Sequence, residues 1–267
     1  MNLQSLFGPV RPGHMRARLI FALDVATVPE ALKLVQLLRH EVGMFKVGKQ
    51  LFMHAGPQVV TQIRRLGGEV FLDLKFHDIP RTVAKAAAEA TRLGVRMFDL
   101  HASGSLEMMR QTITEVTKVC RLEGIPKPKI LAVTVLTSLD REDLKRVGVM
   151  SGVEHQVVRL AKLARQAGMD GVVASPHEIA RIRKECGRNF LIVTPGVRPA
   201  DGSRDDQKRV MTPEAAFRAG ADYLVVGNPI RDAPDPVAAA RDIVTAMERG
   251  FLTSEHRGRL FAARHRI

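Results

Sequence analysis

Along the chain, short apolar runs rich in Val, Ile, Leu and Phe alternate with longer segments whose apolar residues recur every three or four positions. The runs read as strands at Leu19–Val25, Met44–Lys49, Val70–Phe76, Met97–Ala102, Ile130–Leu136, Gly171–Ser175, Phe190–Val197 and Tyr223–Asn228. Between them, "PEALKLVQLLRHE" opens on Pro29, where a missing N–H suits a helix start. "GVEHQVVRLAKLARQAG" puts Val153, Val157, Leu160, Ala161 and Ala164 on one face and stops near Gly168. Eight strands alternating with helices predict a parallel sheet, and strands apolar on both sides predict burial on both faces. A closed eight-stranded (β/α)8 TIM barrel of the α/β class meets both conditions and leaves no edge, whereas a doubly wound open sheet leaves two. No Pro/Ser-rich linker divides the chain. The expected organisation is an N-terminal extension over 1–18, a single catalytic barrel over 19–250 and a basic C-terminal extension over 251–267.

The charged residues that interrupt these strands are concentrated toward their C-terminal ends, the side of a parallel barrel where chemistry is placed. Asp24 follows the first strand, Lys46 lies in the second, Asp73 and Lys75 in "VFLDLKF", His101 ends the fourth, and Thr137 and Ser138 follow the fifth. Strand alternation sends Asp73 and Lys75 the same way, toward the barrel axis or away from it, with Lys46 and Asp24 available from neighbouring strands. Asp78 lies beyond its strand, in the turn before Pro80, from which it could reach past its own barrel. A structural ion pair at the rim is one reading of Asp73 and Lys75. The other is functional, because several charges converging in one dry mouth are costly for stability.

Composition narrows the possibilities further. At 267 residues, 45% hydrophobic and 26% charged, the chain fits one large globular domain. No apolar run approaches the roughly 18 residues of a membrane helix, and residues 1–18 lack the apolar core of a secretory signal. Cys120 and Cys186 show no metal-ligand spacing and are expected as reduced thiols in a cytoplasmic protein. A formal charge of +13 favours anionic partners: nucleic acid, acidic membrane surfaces or phosphorylated metabolites. Part of it lies in the tail, in Arg249, Arg257, Arg259, Arg264 and Arg266 against Glu255, which reads as a solvated basic segment. Phe251, Leu252, Leu260 and Phe261 are able to pin it to the body. One Tyr and no Trp offer few stacking platforms for single-stranded nucleic acid, although eleven Phe weaken that point.

The stretches "FALDVAT", "FKVGKQLF", "DLKFHDIPRTV", "VTVLTSL", "TPGVRP" and "DDQKRVMTPEAAFRAGADYLVVG" together resemble the bacterial orotidine 5′-phosphate decarboxylase family, in the family's order, from about Leu19 to Met247. D-x-K-x-x-D alone is shared by a wider superfamily of sugar-phosphate barrels; with "HDIP", "PGVRP" and "DQ" it becomes specific. The resemblance implies conversion of orotidine 5′-monophosphate to UMP and carbon dioxide without metal or organic cofactor, in a homodimer with shared active sites. It implies that Asp24 and Lys46 hold the ribose hydroxyls, and that Lys46, Asp73, Lys75 and the partner's Asp78 form an alternating charge array with Lys75 as proton donor. Thr82, also from the partner, would touch the ribose and Thr137 the pyrimidine. Arg198, Gln207 and the backbone at Gly227 would reach the phosphate. Residues 195–211 would be a closing lid, in a region where barrels commonly bind phosphate.

One position departs from the pattern. The family reads "VGR" after the eighth strand, and here Asn228 stands where that Arg clamps phosphate. Asn lacks the charge and the bidentate fork, so Arg231 or Arg204 is expected to compensate in part. His54, His155 and His177 read as structural, while His77 and His101 are candidates to support the site. Two rivals stay open: a related metal-dependent decarboxylase or aldolase, against which Lys46 speaks, and a noncatalytic anion- or nucleotide-binding protein.

Overall fold

Eight parallel strands close on one another in chain order, the last pairing back onto the first through Ile20 opposite Val225. They are β1 (Leu19–Ala22), β2 (Met44–Gly48), β3 (Val70–Phe76), β4 (Met97–His101), β5 (Lys129–Val133), β6 (Gly171–Val173), β7 (Leu191–Thr194) and β8 (Tyr223–Val226). The structure, a computed structural model, describes residues 15–198 and 211–264, with the backbone alone beyond 253. All eight expected strands are present. Most are shorter at the C-terminal end than the apolar runs suggest. Val135 and Leu136, for example, extend the run past β5 but leave the ladder to line the barrel mouth. Apolarity registers burial whether a residue sits in a ladder or on a cavity wall.

The intervening helices are α1 (Val28–Leu38), α2 (Lys49–Ala55), α3 (Gln58–Arg65), α4 (Pro80–Arg92), α5 (Leu106–Glu123), α6 (Arg141–Arg146), α7 (Val153–Ala167), α8 (Ile179–Cys186), α9 (Pro213–Ala219), α10 (Asn228–Arg231) and α11 (Pro236–Arg264). Local chemistry sets their ends. Thr27 accepts the Glu30 amide at the start of α1, and Gly168, at φ 91°, ends α7 in the left-handed conformation that glycine adopts without a Cβ penalty.

Two apolar layers follow from the strand pleat. Ile20, Met44, Phe71, Met97, Leu131, Val193 and Val225 fill the barrel interior. Phe21, Phe45, Leu72, Phe98, Ile130, Val172, Ile192 and Leu224 face outward into the larger core beneath the helices. Period-two alternation therefore carries Lys46, Asp73 and Asp99 to the interior, one layer above the apolar plug. At the N-terminal end, Asp170 accepts the Ile130 amide at 2.9 Å and Lys129 at 3.0 Å. Asp222 accepts the Ile192 amide at 2.8 Å and pairs with Arg183, which also donates to the carbonyls of Gly220 and Phe190. Gly171 opens β6 because a Cβ there would lie 2.2 Å from the Leu191 carbonyl oxygen.

Neither expected appendage begins at a break in the packing. Met15 is buried, and a Cβ on Gly43 would lie 2.2 Å from the carbonyl oxygen of Ala17, so residues 15–18 pack on the barrel base. Helix α11 runs without interruption through Gly250, and the Arg18 guanidinium sits 5.7 Å from the centre of the Phe251 ring.

Candidate active site

The charged residues flagged in the sequence meet at the C-terminal mouth. Lys46, on β2, places Nζ 2.9 Å from Asp24 Oδ1 and 3.4 Å from Asp73 Oδ2. Lys75 Nζ is bound to the other oxygen, Asp73 Oδ1. The result is a row of alternating sign: Asp24, Lys46, Asp73, Lys75. Lys46 and Asp73 are nearly sequestered, with side chains 11% and 12% exposed, whereas Lys75 keeps 23% and Asp24 half of its surface.

Lys75 does not reach the row by a regular pleat. Leu72 pairs with Phe98 and Phe76 with Leu100, so Asp73, Leu74 and Lys75 stand opposite the single residue Asp99. This bulge puts Lys75 at φ 52°, left-handed for a side chain that seldom adopts it. The Lys75 amide, displaced from the ladder, donates instead to Asp99 Oδ1 at 2.8 Å. Strain of this kind persists where surrounding contacts over-determine the backbone.

Burial and charge compete at each group. Burial alone would raise the Asp73 carboxyl, but the Lys46 and Lys75 ammoniums and a hydrogen bond from Asp99 bring it down to about 2. Burial also opposes charge on Lys46; Asp73 and Asp24 outweigh it, and its pKa is raised. Asp99 is pushed well above the ordinary carboxyl value, by burial first and by the charge on Asp73 second. Beside the row, the His77 and His101 rings lie 5.3 Å apart. Burial, then His77 and Lys75, hold His101 down at about 4.

A cavity of about 430 Å³ opens above the row, lined by Asp24, Lys46, Asp73, Lys75, Thr137, Ser138, Arg198, Gly227 and Asn228 together with apolar strand ends. A smaller hollow of about 270 Å³ touches the same row from the side of Lys49 and Gln50. Asp78 and Thr82 are exposed and line neither hollow; Asp78 Oδ1 accepts the amide of Ile79, itself 66% exposed. Gln207 and Arg204 lie outside the described residues. Arg231 corrects an expectation. Its guanidinium binds Asp232 and donates to the Asp24 carbonyl oxygen at 2.8 Å, bracing the end of β1 rather than lining the cavity. The sequence reading missed Asp99, although an acid within the apolar run "MFDLHA" is the same signal that drew notice to Asp73. Among the described residues no cluster of three His, Cys, Asp or Glu side chains is placed to hold a metal ion, and no helix is long and apolar enough to cross a membrane.

A closed parallel barrel with an ionised row beside a metabolite-sized cavity at its C-terminal mouth has the layout of a barrel enzyme. Residues 17–243 match the model of the Orotidine 5'-phosphate decarboxylase / HUMPS family. A protein of Geobacter sulfurreducens named orotidine 5'-phosphate decarboxylase is 57% identical over 235 residues, 88% of this chain and 98% of its own. One of Pelobacter propionicus with the same name is also 57% identical, over 88% and 97% of the two chains. Among solved structures, orotidine 5'-phosphate decarboxylase from Lactobacillus acidophilus superposes with a TM-score of 0.75 at 36% identity, covering 86% of this chain and 98% of that one. The chain belongs to the orotidine 5'-phosphate decarboxylase / HUMPS family.

Proposed function

We propose that the chain decarboxylates orotidine 5′-monophosphate to UMP and carbon dioxide, in de novo pyrimidine synthesis in the cytoplasm, through its own side chains. The observation that carries this reading is the Asp24–Lys46–Asp73–Lys75 row against the wall of the cavity. Loss of carbon dioxide breaks the bond between the ring and its carboxyl carbon and leaves the electron pair on the ring carbon. An ammonium already in place stabilises that pair without reorganisation and then supplies the proton. Two candidates face the cavity. Lys46 is held between two carboxylates with its pKa raised, which suits orientation and ribose contact. Lys75 is bound to Asp73 alone among the described residues and is more exposed. It gives its proton to the ring carbon, and the neutral amine recovers one from solvent. An arginine would not serve, because its guanidinium does not release a proton at ordinary pH.

Asp73 remains ionised and fixes both ammoniums, so the main effect is preorganised stabilisation of the carbanion. Thr137 contacts the pyrimidine; Arg198, Gln207, the backbone at Gly227 and Asn228 hold the phosphate. Contacts to that remote group help drive closure of residues 195–211 and so assist the ring chemistry. Asp78 and Thr82, exposed outside their own cavity, serve the site of a second copy in a homodimer.

The test follows the ultraviolet absorbance of orotidine 5′-monophosphate with purified protein in EDTA. Lys75→Ala should lower kcat at least on the order of 10²–10⁴-fold, the range of a lost general acid, while the oligomer persists. No absorbance change with the wild-type protein overturns the reaction; near wild-type turnover by Lys75→Ala removes that residue from the donor role. Mixed dimers of Lys75→Ala and Asp78→Ala protomers should regain turnover if sites are shared.

A further inference from the structure

Asp99 is the least accessible charged side chain near the site, 1% exposed, and the mechanism above gives it no part. Its position is specified by the fold: it is the one β4 residue opposite the three-residue bulge of β3, and its own partner on β5 is the apolar Leu131. Oδ1 accepts the amide of Lys75. Oδ2 is wholly buried and meets no N–H or O–H donor among the described residues, and the Asp99 and Asp73 carboxyls lie within hydrogen-bond reach of each other. Two carboxylate oxygens cannot share a buried contact unless one carries a proton. Charge counting points the same way. Asp24 and Asp73 balance Lys46 and Lys75, so a negative Asp99 would be an uncompensated buried ion, and among the described residues no ion pair or histidine hydrogen bond reaches it.

We propose that Asp99 is a positioning residue that works as a neutral carboxylic acid: Oδ1 holds the displaced Lys75 amide, and the proton on Oδ2 is donated to Asp73. The proposal rests on the reading of Lys75 as the group that serves the ring carbon, and it explains two features together. The left-handed backbone at Lys75 is sustained because its amide keeps a partner off the ladder. The Asp73 carboxylate is held in one orientation, with one oxygen toward Lys46 and the other toward Lys75. The raised pKa of Asp99 agrees with this protonation state.

The test uses a substitution that copies the acid. In Asp99→Asn the amide oxygen can accept from Lys75 and the amide N–H can donate to Asp73, so kcat should stay within about threefold of wild type, the neutral hydrogen bonds being preserved. Asp99→Leu has neither group, and kcat should fall on the order of 10- to 100-fold with KM little changed, the loss expected for hydrogen bonds to charged partners. Infrared difference spectra of wild type minus Asp99→Asn at pH 7 should show the carbonyl stretch of a protonated carboxylic acid. A carboxylate band in its place overturns the proposal, as does an Asn variant as impaired as the Leu variant. The infrared result does not depend on turnover or on the Leu variant folding, so it decides the protonation state even if the decarboxylase reading itself fails.

Discussion

Replacing Lys46 with methionine removes one ammonium from the row while nearly conserving volume. Asp73 would then keep only Lys75 as a cationic neighbour in a site where its side chain is 12% exposed. In the wild-type protein its carboxyl is depressed from the ordinary 3.8 to about 2, a contribution on the order of 2–3 kcal/mol of stability at neutral pH. Lys46 is the strongest of the charges that lower it, and the burial penalty that raises it stays in place. Asp73 in the variant should therefore titrate at or above its ordinary value, and the stabilisation is lost or reversed. Breaking a buried pair by deleting one partner usually costs about 3–5 kcal/mol. A loss of about 3 kcal/mol lowers Tm by about 6–12 °C for a domain of this size. The pH dependence makes the expectation specific. A depressed carboxyl contributes its stability above the unfolded value and loses it as pH falls through about 2, whereas the variant's Asp73 becomes protonated earlier and escapes its penalty. The gap between the two proteins should therefore narrow as pH falls from 7 toward 3, as read by calorimetry or circular dichroism at each pH. A variant as stable as wild type, or a gap independent of pH, would refute the ionised row.

Other substitutions probe separate parts of the molecule. His101 is held at about 4, below its ordinary 6.5, so the unfolded chain takes up the proton first and stability should decline as pH falls between those values; His101→Gln should flatten that slope in pH-dependent melts, and an unchanged slope excludes His101 as its source. Arg183→Leu leaves the half-buried Asp222 with the Ile192 amide but without its guanidinium and strips the Gly220 and Phe190 carbonyls of a donor, so a loss of about 2–3 kcal/mol, below that of a fully buried pair, is expected in denaturant unfolding. Gly250→Ala would set a Cβ 2.2 Å from the Glu214 carbonyl oxygen; Tm should fall, while an unchanged melt would mean that α11 is not pressed against α9 there. Truncation after Thr253 removes most of the basic tail and should leave turnover intact; lost turnover would assign the tail a part in the reaction.

The barrel was legible from hydrophobic periodicity because burial on both faces of a parallel strand leaves a continuous apolar run, and eight such runs separated by helical segments leave few architectures open. Strand alternation put Asp73 and Lys75 on one side, and they do meet there, although Lys75 arrives through a bulge and not by the regular period of two. The family motifs gave Lys46, Asp73, Lys75 and a partner's Asp78 as the charge array and Asp24 with Lys46 as the ribose contact; within one chain the fold joins Asp24, Lys46, Asp73 and Lys75, and Asp78 stands outside that row. Other features depended on contacts between residues far apart in the chain. Alternation was silent on whether the charges faced the axis or the helices; closure of the barrel decided that. The route of Lys75 into the row depends on a bulge against β4, a mismatch of register that one strand's sequence does not contain. Asp99 went unremarked in the sequence, because its partner, the displaced amide of Lys75, lies on the neighbouring strand. Nearness to Asn228 in sequence makes Arg231, with Arg204, a candidate to compensate at the phosphate, yet the Arg231 guanidinium is spent on Asp232 and on a carbonyl 207 residues away. Periodicity is local, so it survives in the sequence; charge pairing, burial and register arise only between segments, and the closed barrel is what brings those segments together.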